Sequence, residues 1–327
     1  MPDNWDFSTQ RRAQSEPSTP IITYGLCALC VIMTFAFWNM NVSPAVARIG
    51  AFVSPSSAQI WDGAYFGLFT TFFAHGDIIH LLFNMSMLVQ LGRVMEPSLP
   101  PWAYILFLAA SAAISMGCQI AIMGDAGVGA SGVVYAMFGL MWAMRARYRS
   151  WTAVATRQNM TIFVVWGVFC IVGTYMGFMH VANVAHGSGI LFGLAVGYLY
   201  MRPHQRGLWA MPVAAMTVLT ALSLFWLPWS AEWNYYHGDK AFDAKQYRTA
   251  IGWYHRSLRL GGSRYYNWEN IKRAWGNLAR DAAIRKDPAA LEEAERQIES
   301  AERLEGPDPS KAPDTTGPAG LHEVKPK

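Results

Sequence analysis

Residues 129–145 have the sequence Gly-Ala-Ser-Gly-Val-Val-Tyr-Ala-Met-Phe-Gly-Leu-Met-Trp-Ala-Met-Arg, in which a serine among small residues begins an apolar stretch. Two further polar signatures stand near the starts of other apolar stretches, His80-Leu81-Leu82-Phe83-Asn84 and Ala185-His186-Gly187-Ser188-Gly189. Ionisable side chains inside hydrocarbon cost free energy unless they line a polar cavity, so they are candidates for function. The three signatures together predict a polar site enclosed by membrane helices.

Composition and charge favour a membrane protein with an added polar part. Hydrophobic residues make up 53% of the chain and charged residues only 15%, which is apolar-rich for a globular protein. Residues 231–327 hold 16 of the 26 Lys and Arg and 15 of the 22 Asp and Glu, so two bodies should join near residue 230. The net charge of +4 is small and dispersed, and we expect no nucleic-acid partner.

Several apolar stretches are long enough to cross about 30 Å of hydrocarbon, if their polar residues face the bundle interior. The expected spans are 21–39, 78–96, 101–123, 131–145, 159–178, 183–201 and 208–229. The polar segment before the first span carries Arg11 and Arg12 and lacks a convincing small-residue cleavage site, so we expect a retained anchor and not a signal peptide. The fold class is therefore an all-α membrane protein.

The basic residues predict the orientation, because Lys and Arg of short loops stay preferentially on the cytoplasmic side. The link between the fourth and fifth spans carries Arg145, Arg147, Arg149 and Arg157, and the link between the sixth and seventh carries Arg202 and Arg206. Residues 1–20 then form a cytoplasmic amino-terminal tail, and everything after residue 230 lies on the outer side. The same alternation puts all three polar signatures in the outer halves of their spans.

The ordered pieces of this pattern resemble the rhomboid intramembrane serine proteases over roughly residues 20–205. The matching pieces are Phe73-Ala74-His75, His80-Leu81-Leu82-Phe83-Asn84-Met85, Gly92-Arg93 with Glu96, Gly129-Ala130-Ser131-Gly132-Val133-Val134-Tyr135, and Ala185-His186 with Gly189 and Gly193. The resemblance implies a six-helix catalytic membrane domain over 21–205. A seventh transmembrane helix over 206–230 would be an addition to that bundle.

The resemblance also implies roles for single residues. Ser131 corresponds to the nucleophile and His186 to the base that takes its proton, and Tyr135 corresponds to the ring that packs against the histidine. The oxyanion hole is expected from His80, Asn84 and the backbone N–H of Ser131. His80 and Asn84 are four residues apart and share a helix face, while the amides of the first helical turn after residue 130 favour a developing negative charge.

Glycines predict how the two catalytic helices approach each other. Gly189, Gly193 and Gly197 repeat every four residues and form a smooth ridge that permits close helix contact in lipid. Gly132 and Gly139 are expected to supply the facing surface. Together with Gly129, which precedes the nucleophile, Gly132, Gly189 and Gly193 are the glycines expected to support the dyad.

Cysteine usage points to packing. Cys27 and Cys30 form a C-x-x-C pair in the first span, where no second pair or nearby histidine completes a zinc site. Cys118 and Cys170 are expected to be core thiols, outside any disulfide framework. We expect no metal and no cofactor.

Two segments differ from a simple membrane bundle. Segment 40–77 lacks the arginine that the family usually carries before its first histidine, and its aromatic residues favour an interfacial loop. Residues 231–305 are predicted to be soluble and helical, with one tetratricopeptide-like repeat and a poorer copy over Ala274–Leu304. The alternative for this domain is an amphipathic helical hairpin packed on the membrane domain. Residues 306–327 are predicted to be a disordered tail.

The expected function is intramembrane serine endopeptidase activity on single-pass transmembrane substrates near the outer face of the membrane. Partners would be those substrates and the lipid bilayer, and the carboxy-terminal domain is a candidate for recruiting a protein partner. The expected location is the inner (plasma) membrane of a bacterium. Alternatives are an inactive rhomboid-like scaffold that holds clients, and a transporter using the buried histidines, although intramembrane acids and paired broken helices are lacking. His75 and His180 are expected to be structural.

Overall fold

A computed structural model of the protein describes residues 19–305, and these residues form helices and no strand. Most of the expected amino-terminal tail and the whole predicted disordered tail, residues 306–327, lie outside the described residues. The chain divides into two units. The membrane unit comprises the residues before Ala121 together with Ala126–Leu224, and the carboxy-terminal unit comprises Ala121–Asp125 and the residues from Phe225 onward.

The membrane unit contains long helices and several short ones. The long helices are α1 (Ile21–Trp38), α5 (Ile78–Met95), α6 (Pro101–Met123), α7 (Ser131–Met144), α8 (Arg157–Tyr175), α9 (Asn183–Met201) and α10 (Arg206–Phe225). The short helices are α2 (Pro44–Val53), α3 (Ser57–Trp61) and α4 (Gly67–Thr70), and 3₁₀ turns cover Thr71–Phe73, Glu96–Ser98, Arg149–Ala153 and Pro203–Gln205.

Six of the described helices are long and apolar enough to cross a membrane, and α7 is the exception among the seven expected spans. It has 14 residues, or about 21 Å at the usual rise of an α-helix. All of its residues except Ser131 and Trp142 are buried against the rest of the membrane unit. A helix enclosed by other helices meets little lipid, so its length need not match the hydrocarbon thickness.

Helix caps explain where the short helices of segment 40–77 begin. The Ser43 side chain accepts a hydrogen bond from the backbone of Val46 at the start of α2, and Ser56 forms a reciprocal capping box with Gln59 at the start of α3. The expected interfacial loop is therefore a chain of short helices in the structure. Its Trp61 indole donates to the Ser223 carbonyl at 2.9 Å, which fixes the segment to α10.

The Glu96 carboxylate connects the end of α5 to the start of α1. It accepts hydrogen bonds from the backbone N–H groups of Ile22 (2.9 Å) and Thr23 (2.8 Å), and from the Thr23 hydroxyl (2.6 Å). Helix amino termini carry unpaired N–H groups and a partial positive charge, so an anion there is favourable. The acid that the sequence places among the spans thus serves as a helix cap.

Helix α10 ends at Phe225, earlier than the predicted end at residue 229. Proline at position 228 disfavours helical backbone at the residue before it, which accounts for a stop in this region. Pro212 lies inside α10 without ending it.

The carboxy-terminal unit contains α11 (Ala231–Asp243), α12 (Tyr247–Arg259), α13 (Arg264–Arg285) and α14 (Pro288–Leu304). Their buried apolar residues form one core that all of these helices share, so the alternative of a single hairpin does not describe them. Gly238 allows close approach, because a Cβ there would lie 2.5 Å from the Tyr254 ring. The first helix of the poorer repeat begins at Arg264, ten residues before the expected Ala274, since the Ser263 side chain caps it by accepting from the Tyr266 N–H. The assignment to the tetratricopeptide class stays a prediction.

Candidate active site

Ser131 is the first residue of α7 and follows a tight turn. Gly129 in this turn has φ +118°, a backbone conformation that favours glycine. A Cβ at Gly129 would also lie 2.7 Å from Cε1 of His80, so the position requires glycine for space as well. The Gly129 N–H donates to the Thr71 carbonyl at 2.9 Å, which ties the turn to the segment before α5.

The structure brings Ser131 and His186 together from two separate helices. The Ser131 hydroxyl oxygen lies 2.8 Å from Nε2 of His186, and the histidine side chain is buried, with 6% of the residue exposed. This distance lies within the reach of general-base proton transfer, about 2.6–3.2 Å between heavy atoms. The pair therefore has the geometry in which an imidazole can activate a hydroxyl.

The Tyr135 ring lies one turn along α7 from Ser131 and holds the imidazole plane. The two rings are stacked, with centroids 4.6 Å apart and planes 13° apart. The Tyr135 hydroxyl donates to the Phe163 carbonyl at 3.0 Å, so α8 holds the tyrosine in turn. Stacked aromatic rings gain about 0.5–1.5 kcal/mol beyond their buried area, which favours one orientation of the imidazole.

The glycine ridge on α9 lies directly against α7. A Cβ added at Gly189 would overlap the Gly132 carbonyl, and one added at Gly193 would overlap the Ala136 carbonyl. Gly139 on α7 has the reciprocal role, because a Cβ there would overlap the Ile190 carbonyl. The backbones of the two helices thus approach to a distance that only glycine allows, and this approach sets the Ser131–His186 separation.

His80 and Asn84 lie on α5, on the same side as Ser131. The His80 ring contacts the Gly129 turn, and Asn84, 2% exposed, lines a cleft that also contains Ser131. The Asn84 amide nitrogen donates to the His80 carbonyl at 3.0 Å, within its own helix. Reorientation of this side chain would make its second N–H available to a group bound at Ser131.

Comparison with known proteins assigns the sequence around this site to a known domain. The rhomboid domain model matches residues 59–203, a range that contains all the residues just described. Residues 59–203 therefore form a rhomboid domain. The chain is 30% identical to the rhomboid protease GlpG of Yersinia pseudotuberculosis serotype I (strain IP32953) and to that of Yersinia pestis (strain Pestoides F), over 198 residues in each case. It is 31% identical over 132 residues to the rhomboid protease GlpG of Salmonella choleraesuis (strain SC-B67).

The similarity is partial in both directions. The matched residues are 60% of this chain and 66% of each Yersinia protein, and 40% of this chain and 47% of the Salmonella protein. The chain thus spans slightly less than two thirds of the length of the Yersinia relatives and less than half of the Salmonella one. The domain match ends at residue 203, so α10 and helices α11–α14 lie beyond it. With six candidate membrane spans, this rhomboid-domain protein is a multi-pass integral membrane protein.

Sequence reasoning missed a chain of hydrogen bonds that holds the turn before the serine. The Thr34 hydroxyl donates to the Phe73 carbonyl at 3.0 Å, so its oxygen accepts from Nδ1 of His75 at 3.2 Å. Nε2 of His75 then accepts from the Ala130 N–H at 3.3 Å. Burial, and to a smaller extent the neighbouring His80, lowers the pKa of His75 to about 3, so the ring stays neutral and can accept this bond. Through this chain of hydrogen bonds His75 supports the turn before Ser131.

A second missed feature is the aromatic pair between α5 and α8 in the rhomboid domain. The rings of Phe83 and Trp166 are stacked, with centroids 4.8 Å apart and planes 25° apart. Both residues line the cleft that contains Ser131 and Asn84. The pair therefore lies between these two helices beside the serine. No short-range pattern could pair them, because they are distant in sequence.

No trio of His, Cys, Asp or Glu within residues 19–305 is arranged to hold a metal ion. Cys27, Cys30, Cys118 and Cys170 are free thiols, and three of them are buried. Burial of a neutral thiol among apolar groups is ordinary packing.

Proposed function

We propose that this rhomboid-domain protein is an intramembrane serine endopeptidase that cleaves single-pass transmembrane substrates through a Ser131–His186 dyad. The observation that carries the proposal is the 2.8 Å separation of the Ser131 hydroxyl and His186 Nε2 inside a largely apolar helix bundle. A serine hydroxyl is a poor nucleophile at neutral pH and requires an adjacent base. Membrane-buried polar groups persist where they serve a function.

Acylation uses both members of the dyad. His186 accepts the Ser131 proton as the hydroxyl oxygen attacks the substrate carbonyl carbon, and it then donates that proton to the leaving amine. Water attacks the acyl-enzyme with the same histidine as base, which restores the free serine. The stack on Tyr135, at 4.6 Å between centroids, holds the imidazole through both steps.

Hydrogen-bond donors of α5 and α7 stabilise the negative charge of the tetrahedral intermediate. The proposed oxyanion hole comprises the Ser131 backbone N–H, the His80 ring and the Asn84 amide. Ser131 begins α7, where the free N–H groups of a helical turn point outward. Loss of one such donor in a soluble serine protease costs about 2.7–4 kcal/mol of transition-state stabilisation.

Substrate access is proposed to follow the cleft between α5 and α8. A helical substrate hides its carbonyls in its own hydrogen bonds, so it must unwind locally before attack. The cleft is lined by Phe83, Asn84, Met87, Ser131, Val134, Tyr135, Ile162, Phe163 and Trp166. Most of these side chains are apolar and suit a lipid-embedded segment, whereas Asn84 and Ser131 supply polar groups at one place. Separation of Phe83 and Trp166 would widen this path.

The proposed membrane orientation puts the amino terminus in the cytoplasm and the dyad toward the outer face of a bacterial inner membrane. Arginines between α7 and α8 support it, because basic residues stay on the cytoplasmic side. Residues 231–305 are proposed to be a tetratricopeptide-like adaptor on the outer side that recruits protein partners. Their shared core and the close contact of Gly238 with Tyr254 support this class. Protease protection of a tag at residue 327 in sealed spheroplasts would refute the orientation.

Cleavage of a reporter tests the function. A single-pass membrane protein carrying small residues near the scissile bond is reconstituted with the full chain in liposomes. We expect cleavage by the wild type and none by Ser131→Ala or His186→Ala. Equal cleavage by Ser131→Ala would reject the serine protease, and binding of the reporter without cleavage by the wild type would favour the inactive scaffold.

A further inference from the structure

The base carries a second ring nitrogen that the proposed dyad does not use. Nδ1 of His186 is buried and has no hydrogen-bond partner among the described residues. The carboxamide oxygen of Asn183 is also buried and has no partner there. Asn183 is the first residue of α9 and His186 follows three positions later, so the two side chains share one face of the first helical turn. One helical turn therefore holds two unpartnered polar atoms.

Nδ1 of His186 and the carboxamide oxygen of Asn183 can form a donor–acceptor pair. Nε2 of His186 must carry a lone pair to accept the Ser131 proton, so the proton of the neutral ring must sit on Nδ1. Nδ1–H is then a donor, and a carboxamide oxygen is an acceptor. A hydrogen bond at one ring nitrogen decides which nitrogen carries the proton. An acceptor at Nδ1 would therefore favour the tautomer that can act as base.

The Asn183 amide is held with its oxygen free. Its nitrogen donates to the Thr174 hydroxyl oxygen at 2.9 Å, and the Thr174 hydroxyl donates to the Cys170 carbonyl at 2.8 Å. Thr174 has a single hydroxyl proton, which the Cys170 carbonyl receives, so its oxygen can only accept from Asn183. This assignment of the amide follows from the network and excludes the flipped orientation. Oδ1 remains for a further donor.

We propose that Asn183 is a positioning residue for the base: its Oδ1 accepts the hydrogen bond of His186 Nδ1–H, directly or through one bridging water. The inference rests on the proposed function and deepens it. A carboxylate has this place in many soluble serine hydrolases, and a neutral amide suits a site enclosed by apolar helices because it adds no charge. Thr174 lies on α8, the helix that also carries Trp166. This helix therefore holds Asn183, which in turn orients His186.

The groups that face His186 bear on its protonation. They are the Ser131 hydroxyl and the Tyr135 ring from α7, and His80 from α5, which interacts with the imidazole electrostatically. On its own helix, Asn183 lies three positions before it. None of these is an acid. A carboxylate placed at position 183 would therefore be the one anion in this set, and it would stabilise the imidazolium.

Kinetics of the full chain in liposomes provide one test. Asn183→Ala should lower kcat about 10- to 100-fold, the usual effect of a lost hydrogen bond to a group that becomes charged, with KM within about 2-fold. Asn183→Asp should retain part of kcat and move the acidic limb of the kcat profile to higher pH. Thr174→Val keeps the Asn183 Oδ1 acceptor but removes the hydroxyl that holds the amide in place. This variant should show an intermediate loss of kcat. Ser188→Ala is the matched control, because among residues 19–305 the Ser188 hydroxyl bonds only within α9 and toward Cys118, and the kcat of this variant should be unchanged.

Nitrogen-15 NMR of labelled histidine provides a test that needs no activity. The His186 signal, assigned by its absence in His186→Gln, should report a proton on Nδ1 in the wild type. Asn183→Ala should shift the ring toward the Nε2–H tautomer. An unchanged tautomer, or wild-type kcat and pH profile in Asn183→Ala, overturns the inference.

The two tests separate this inference from the proposed function. A wild type that cleaves nothing while Asn183→Ala changes the tautomer rejects the protease and supports the positioning role. A wild type that cleaves while Asn183→Ala cleaves equally well rejects the positioning role alone.

Discussion

The close approach of α7 and α9 predicts that one methyl group at residue 193 will separate the dyad. A Cβ at Gly193 would overlap the Ala136 carbonyl oxygen and lie 2.8 Å from both the Ala136 carbonyl carbon and the Leu140 nitrogen. These are backbone atoms that no rotamer change can move. Ordinary contact begins at 3.4 Å, so the helices must part by at least 3.4 − 2.8 = 0.6 Å.

The consequence for chemistry follows from the dyad distance. Added to the present 2.8 Å, a separation of 0.6 Å takes the Ser131–His186 pair to 3.4 Å, beyond the ~3.2 Å reach of general-base transfer. Misplacement by about 1 Å commonly costs about 100-fold in rate, or roughly 2.7 kcal/mol. We expect Gly193→Ala to lower kcat/KM about 100-fold, and Gly193→Leu to abolish detectable cleavage.

The assay is reporter cleavage in liposomes, with fluorophosphonate labelling of the same preparations. Gly187→Ala is the matched control, because Gly187 lies on α9 and a Cβ there meets nothing within 4 Å. Far-ultraviolet circular dichroism and yield in the membrane fraction check folding and insertion. Gly193→Ala with wild-type kcat/KM would refute the packing argument, as would equal damage in Gly187→Ala.

Three further predictions use other contacts of the site. Tyr135→Leu removes the stack on His186 and should lower kcat/KM roughly 10-fold, whereas Tyr135→Phe keeps the ring and should stay within about 3-fold. Trp166→Ala removes the stack on Phe83 and should raise cleavage of a membrane-embedded reporter roughly 2- to 10-fold, without changing the labelling rate of a small fluorophosphonate. His75→Gln should reduce the sensitivity of the melting temperature to acid. The neutral His75 ring stabilises the fold fully above pH 6.5, and that contribution is lost as pH falls from 6.5 toward 3; at pH 5 the wild type should have lost up to about 2 kcal/mol that the variant does not lose.

Each of these predictions has an outcome that contradicts it. Equal losses in Tyr135→Phe and Tyr135→Leu would mean that the hydroxyl contact to the Phe163 carbonyl matters more than the ring stack. Slower reporter cleavage by Trp166→Ala would argue against access between α5 and α8. Parallel melting curves for the wild type and His75→Gln between pH 7.5 and pH 5 would show that His75 does not titrate as its burial implies.

Local sequence patterns predicted the helices and the grouping of the polar signatures. Ser131, His186, His80 and Asn84 were placed at one depth because apolar stretches of membrane length fix how far each residue lies along its span. The spacing of Gly189 and Gly193 predicted which face of α9 meets its neighbour, since residues four apart share a helix face. These inferences needed only the period of a helix and the thickness of a bilayer.

Contacts between distant segments could not be predicted in this way. The Thr34–His75–Ala130 chain and the Phe83–Trp166 stack depend on how helices rotate and pack, and no single segment carries that information. The sequence predicted the position of α7 but treated it as a full-length span. A 14-residue helix enclosed by others does not obey the length rule for lipid-exposed spans. The Arg264 start of α13 was missed because the Ser263 cap was not considered in the sequence analysis.

Peptide mapping of a covalent adduct tests the central claim most directly. The full chain in liposomes is treated with a fluorophosphonate, digested and analysed by mass spectrometry. We predict a single adduct on Ser131 in the wild type and its loss in His186→Ala, in which the serine is still present. An adduct on another residue, or an equal yield on Ser131 without His186, would contradict the dyad.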